Sequence, residues 1–74
     1  LRAGGTAAAI LNAANEVAVE NFLDRRLSFL GMTDVIEQTL SEVASTAADG
    51  LDQILHADAM ARGAARRCVG QRAR

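Results

Sequence analysis

The sequence predicts an all-α fold, an antiparallel bundle of three helices, and three observations carry that prediction. Proline is absent from the 74 residues and alanine is abundant. No stretch alternates strictly between apolar and polar residues, as a half-buried strand would. Apolar residues instead recur at helical spacing in three separate stretches. The chain has room for one small domain, residues 1–74. A chain of this size buries only about 60% of the surface its unfolded form exposes, so its expected stability is modest.

The first helix is expected to start at Thr6, whose hydroxyl can cap the free N–H groups of the first turn, and to end near Asp24 or Arg25. At 1.5 Å per residue it is roughly 28 Å long. Its buried stripe reads Ile10, Ala13 or Ala14, Val17 and Phe22. Small side chains there let another helix approach closely. Arg26 to Gly31 then form a link in which Leu27, Phe29 and Leu30 are too apolar for a free loop and are expected to tuck against the bundle.

A second helix follows from about Met32 or Thr33 to Ala44, with Val35, Ile36, Leu40 and Val43 facing inward. Ser45 to Gly50 is the main loop, and Asp49 or Gly50 opens the third helix. Leu51, Ile54, Leu55, Ala59, Ala65 and Val69 mark its inner face, Gly70 its stop, and 71–74 a frayed tail. Leu1-Arg2-Ala3 ahead of Gly4-Gly5 reads as the last turn of an earlier helix and its glycine stop. The chain is therefore expected to be part of something longer, a four-helix-bundle domain missing part of its first helix.

Composition removes several classes of function. One cysteine, Cys68, excludes an intrachain disulfide and any cysteine-rich metal cluster. A lone cysteine fits a reducing, intracellular setting, and the expected location is the cytoplasm of a bacterial cell. No apolar run approaches the ~20 residues that cross a bilayer, so no membrane partner is expected. Net charge is −1, but all nine acids lie within residues 1–58, whereas 59–74 hold five arginines and no acid. That basic end lacks interleaved aromatics and any helix-turn-helix or RNA-binding signature, so no nucleic-acid partner is expected either. Cations near a helix C-terminus also suit the macrodipole.

The most informative stretch is Leu11-Asn12-Ala13-Ala14-Asn15-Glu16-Val17. On a helix Asn12, Asn15 and Glu16 stand at i, i+3 and i+4 and share a face amid small apolar residues. Asparagine is a poor helix former because its amide competes for the backbone, so something outside the helix rewards it. The weight falls on structural hydrogen bonding to neighbouring helix ends and loops. Contact with the rest of a larger protein ranks second, and direct catalysis last.

Other chemistry-bearing residues are isolated. His56 lies one turn from Asp52 and Met60 with no nucleophile in a forced position, and reads as a surface histidine. Cys68 reads as a packing residue. Asp58 and Arg62 sit at i, i+4, an ordering that suits a helical ion pair. No glycine-rich turn follows a strand and no carboxylate cluster suggests metal catalysis, so no catalytic, cofactor-binding or metal-ligating residue is assigned.

These residues also carry a resemblance. Gly4-Gly5-Thr6-Ala7, then Leu11-Asn12-Ala13-Ala14-Asn15-Glu16-Val17-Ala18-Val19 with Phe22-Leu23, resembles the start of the C-terminal helical domain of the 1-deoxy-D-xylulose 5-phosphate reductoisomerase family. Phe29, Asp34-Val35-Ile36-Glu37 with Thr39-Leu40, and Ala57-Asp58-Ala59 with Ala61-Arg62 continue the family's order. The family pattern has Pro where this chain has Ala8, a departure that eases helix initiation there.

The resemblance implies a helical-bundle domain of an NADPH-dependent oxidoreductase that also uses a divalent cation such as Mg or Mn, in non-mevalonate isoprenoid biosynthesis. The implied partners are the upstream catalytic and nucleotide-binding domains of the same chain, with a homodimer as a further option. The family's fingerprint for the nucleotide, its metal-binding acids and its phosphate-binding residues lie outside this chain. The domain alone is therefore expected to hold no cofactor and to be inactive. The alternative is a small helical protein–protein interaction module.

Overall fold

A computed structural model describes residues 5–47 and 50–72. Three helices run through them: α1 (Ala7–Leu23), α2 (Phe29–Glu42) and α3 (Leu51–Arg72). Ile10 and Ala13 near the start of α1 pack on Ala57 and Ala61 in α3, with Val43 at the end of α2 beside them. Further along, Val17 and Ala18 meet Ala65, Cys68 and Val69, together with Leu27 and Val35. So α1 and α3 run in the same direction and α2 returns between them. The body is elongated, 39 × 18 × 17 Å. The stretch read as an earlier helix, Leu1-Arg2-Ala3, lies outside the described residues, as do Asp49 and the last two residues of the tail.

Helix α1 follows its expected stripe through Ile10, Ala13, Ala14 and Val17, all buried, and Ala18, not expected there, joins it. Phe22 departs from it. It is 36% exposed and meets Phe29 edge-to-face, ring centroids 6.2 Å apart. Thr6 is the N-cap residue as expected, but its hydroxyl bonds nothing in the first turn. It accepts instead from the backbone N–H of Thr46 at 2.9 Å, and the Thr6 N–H donates to the Thr46 carbonyl at 2.9 Å. This two-bond clasp fastens the α2–α3 connection to the start of α1.

The other end of α1 closes without glycine. The Arg25 N–H bonds the Phe22 carbonyl at 3.0 Å and the Arg26 N–H bonds the Asn21 carbonyl at 2.8 Å. This is a Schellman closure, which places the residue after the cap in the left-handed region. Arg25 occupies that position with φ 65°.

Helix α2 starts three or four residues earlier than the sequence suggests. Ser28 caps it, accepting from the Gly31 N–H at 2.9 Å. A Cβ on Gly31 would stand 3.1 Å from Ser28 Oγ and 3.4 Å from Leu27 Cδ2, so a side chain there would press on the capping hydroxyl. The link residues divide. Leu27 is buried, while Phe29 and Leu30 are 68% and 74% exposed rather than tucked in. Inside α2 the buried line is Gly31, Val35 and Thr39 at four-residue spacing. Leu40 is exposed, and Thr39 takes the inner place because its hydroxyl is satisfied by the Val35 carbonyl at 2.8 Å.

Helix α3 overturns most of its expected inner face. Leu51, Leu55 and Ala59 are exposed and Ile54 is only partly covered, whereas Ala57, Ala61, Ala64, Ala65, Cys68 and Val69 are buried. Alanines, with Cys68 and Val69 and not the leucines, form the α3 side of the seam, where they pack on Ile10, Ala13, Val17 and Ala18 of α1. The helix also continues through Gly70 to Arg72. Gln71 and Arg72, expected to fray, belong to its last turn.

Candidate functional site

The three residues singled out by the sequence all lie exposed on α1. Asn12 Nδ2 donates to Glu16 Oε2 at 3.1 Å, a bond across one helical turn. The other carboxylate oxygen, Glu16 Oε1, receives Arg62 Nη2 of α3 at 2.8 Å. Arg62 also holds Asp58 of its own helix, Nε to Oδ1 at 2.6 Å. One guanidinium fork thus joins two carboxylates on two helices, and Asn12 steadies the nearer one from behind.

Charge follows geometry here. Hydrogen bonds from Arg62 and then Asn12 hold the Glu16 carboxyl below its usual range. Asp58 first, and Glu16 second, push the Arg62 guanidinium further toward its charged form. The Asp58–Arg62 pair was legible at i, i+4. The Glu16–Arg62 bond spans 46 residues and was not.

Asn15 is not drawn into this network. It points outward with Ala8, Leu11 and Asn12 beside an open depression of about 440 Å³. The rest of that side of α1 carries Val19, Phe22 and Leu23, exposed by 37%, 36% and 73%. At 100° per residue Val19 and Leu23 lie opposite the buried stripe, while Phe22 flanks it one turn on from Ala18. The helix contains no basic residue, and its two acids, Glu16 and Glu20, lie along one edge of this face. By contrast, the outer side of α2 carries Asp34, Glu37 and Glu42, and that of α3 carries Asp52, Arg66 and Arg67, all exposed.

The remaining candidates stay apart. His56 is exposed and borders a groove of about 500 Å³ with Thr6, Glu42, Thr46, Asp52 and Met60. It makes no hydrogen bond to Asp52 among the described residues, and no nucleophile is set beside it. Cys68 is buried, and burial pushes its thiol pKa up, against a weaker opposing pull from Thr39. That is the behaviour of a packing cysteine rather than a reactive one. Two arginines of the basic end turn back to α2, Arg67 to Glu42 at 3.5 Å and Arg72 to Asp34 at 3.3 Å.

Among the described residues no group of three or more His, Cys, Asp or Glu side chains could hold a metal ion. No helix there is long and apolar enough to cross a membrane. With no strand among the described elements, there is also no strand-to-helix turn to receive a dinucleotide. The distinctive surface is the amide-bearing, nearly uncharged side of α1.

Comparison with known proteins agrees. The chain is 55% identical over 67 residues to a 1-deoxy-D-xylulose 5-phosphate reductoisomerase of Methylococcus capsulatus, covering 90% of this chain and 17% of that protein. It is 58% identical over 62 residues to the Ralstonia nicotianae protein of the same name, covering 84% and 16%. The Xanthomonas euvesicatoria protein of that name is 51% identical over 73 residues, 99% of this chain and 18% of that one. The chain thus spans less than a fifth of the length of the curated relatives it matches. Residues 1–64 match the family model described as the DXP reductoisomerase C-terminal domain. Helical architecture, the Asn-Ala-Ala-Asn-Glu face and these matches lead to one conclusion: the chain belongs to the C-terminal domain family of DXP reductoisomerase.

Proposed function

We propose that these 74 residues are the supporting lobe of a whole reductoisomerase and carry none of its chemistry. The enzyme converts 1-deoxy-D-xylulose 5-phosphate to 2-C-methyl-D-erythritol 4-phosphate with NADPH and a divalent cation, in the cytoplasm. The single observation that supports this division of labour is coverage: the chain matches a C-terminal domain and spans only 16–18% of the reductoisomerases it resembles. In this reading NADPH and Mg or Mn are held by other parts of the polypeptide.

The lobe's own task is mechanical. It packs beside the catalytic region and holds that region's walls in place, as a supporting shell must if a site is to keep its geometry. The free-standing interaction module is set aside, because the matched relatives carry this segment within a chain several times longer.

The test is an assay of NADPH oxidation dependent on 1-deoxy-D-xylulose 5-phosphate. The full-length protein containing this sequence is expected to turn over, and the 74-residue chain alone neither to turn over nor to bind NADPH. Turnover by a pure sample of the short chain would overturn the proposal.

A further inference from the structure

We infer that Thr6 is a two-position latch: bonded to Thr46 it holds the α2–α3 connection against the head of α1, and released from Thr46 it caps the first turn of α1 instead. The latch is a property of the bundle and stands whatever the whole protein catalyses.

Two helix starts in the same bundle show the contrast. Ser28, ahead of α2, has ψ 169°, and its hydroxyl accepts from the Gly31 N–H at 2.9 Å, as a capping residue does. Thr6, ahead of α1, has ψ −2° and makes no such bond. Its hydroxyl accepts from the Thr46 N–H. Capping needs the extended ψ that Ser28 shows, so Thr6 cannot serve the helix and the connection together. The N–H groups of Ala7, Ala8 and Ala9 have no hydrogen-bond partner among the described residues, and the bond to the Thr6 carbonyl comes from Ile10.

Little else fastens the connection. Ala44, Ser45, Thr46 and Ala47 are exposed, and their only hydrogen bonds among the described residues are the two with Thr6. Val43 alone packs inward, on Ile10, Ala13, Ala57 and Ala61. Release gives the Thr46 N–H and carbonyl to water, while the Thr6 hydroxyl gains a bond at Ala8 or Ala9. The two positions are therefore close in free energy. The backbone change falls on ψ of Thr6, beside Gly5, which already stands in the left-handed region at φ 50°. Glycine absorbs such a change without strain, so neither helix has to move. Val43, Ala44 and Thr46 form one wall of the groove that His56 and Met60 line from α3. Release of Thr46 widens that groove.

The test is hydrogen exchange read at single amides in the full-length protein. In the unaltered chain the Thr46 amide, although on an exposed residue, is expected to exchange at least about tenfold more slowly than in an unstructured peptide. Ala8 and Ala9 are expected to exchange faster than Gly31, whose N–H Ser28 holds. Free exchange at Thr46 overturns the latch, because its closed position is then absent. In urea below the unfolding transition, the Thr46 rate is expected to stay nearly constant, since release exposes little surface, while the buried Val17 and Val35 amides accelerate. A Thr46 amide that follows those two overturns the proposal, because the connection then opens only when the bundle unfolds. Thr46→Pro removes the donor and leaves Thr6 intact. It is expected to slow Ala8 or Ala9 at least about fivefold, and Thr6→Val in the same chain to abolish that slowing. An unchanged rate, or slowing that survives Thr6→Val, also overturns it.

Discussion

Arg62 of α3 stands 2.8 Å from Glu16 of α1 while it holds Asp58 of its own helix at 2.6 Å. The fork pins the two parallel helices in register midway along their seam, where alanines supply little else that is directional. Because Arg62 lowers the Glu16 pKa, the pair's sign with pH is fixed. Its stabilisation is present above the ordinary carboxyl value of 4.5 and is lost as pH falls through the depressed folded value. Glu16→Gln is expected to lower the urea midpoint at pH 7 and to leave it unchanged at pH 2. Glu20→Gln, one turn away, is expected to change neither. An equal loss at both pH values would remove the ion pair from the account.

Thr6 and Thr46 make a second tie, through backbone as well as side chain. Thr6→Val keeps the shape and deletes the acceptor of the Thr46 N–H. The expected cost is about 1 kcal/mol, since that N–H is only part-buried and water replaces some of the bond. Thr6→Ser restores the hydroxyl and should recover most of the loss, as read by urea unfolding.

Ala61 is fully buried where α1 and α3 approach. Ala61→Leu forces the helices apart and is expected to destabilise by about 1–3 kcal/mol. Ala59→Leu, two residues away on the exposed side, is expected to stay within about 0.5 kcal/mol of the parent. Equal midpoints for the two variants would contradict an alanine-built seam.

Arg25 takes a left-handed conformation that glycine adopts freely. Arg25→Gly is expected to stabilise the lobe by about 0.5–1 kcal/mol, less than the full strain because glycine also loosens the unfolded chain. Thermal melting checks it, and a lower melting temperature would show that the strain is offset elsewhere.

Much of the architecture was legible in the sequence, and the misplaced core residues share one cause. Helix number and order and the Ile10–Val17 stripe of α1 follow from periodicity, and Thr6 stands at the N-cap although its hydroxyl is spent on Thr46. What misled was the rule that the largest apolar side chains mark the inside. It sent Leu40, Leu51 and Leu55 to the core, and they are exposed. The usable signal was Ala57, Ala61, Ala65 and Cys68, spaced by four, four and three, a small-residue stripe that rivals the leucines only if close helix approach is assumed. Of the polar motif, the Asn12–Glu16 bond is local and could be anticipated at i, i+4. Arg62 was out of reach, because its bond to Glu16 depends on how α1 and α3 pack rather than on spacing.

The central claim is that this lobe supports a catalytic body built by the rest of the polypeptide. The most direct measurement is steady-state turnover of the full-length protein beside the same protein cut just ahead of Leu1. The account predicts that the cut protein loses turnover. Undiminished turnover without these 74 residues would contradict it.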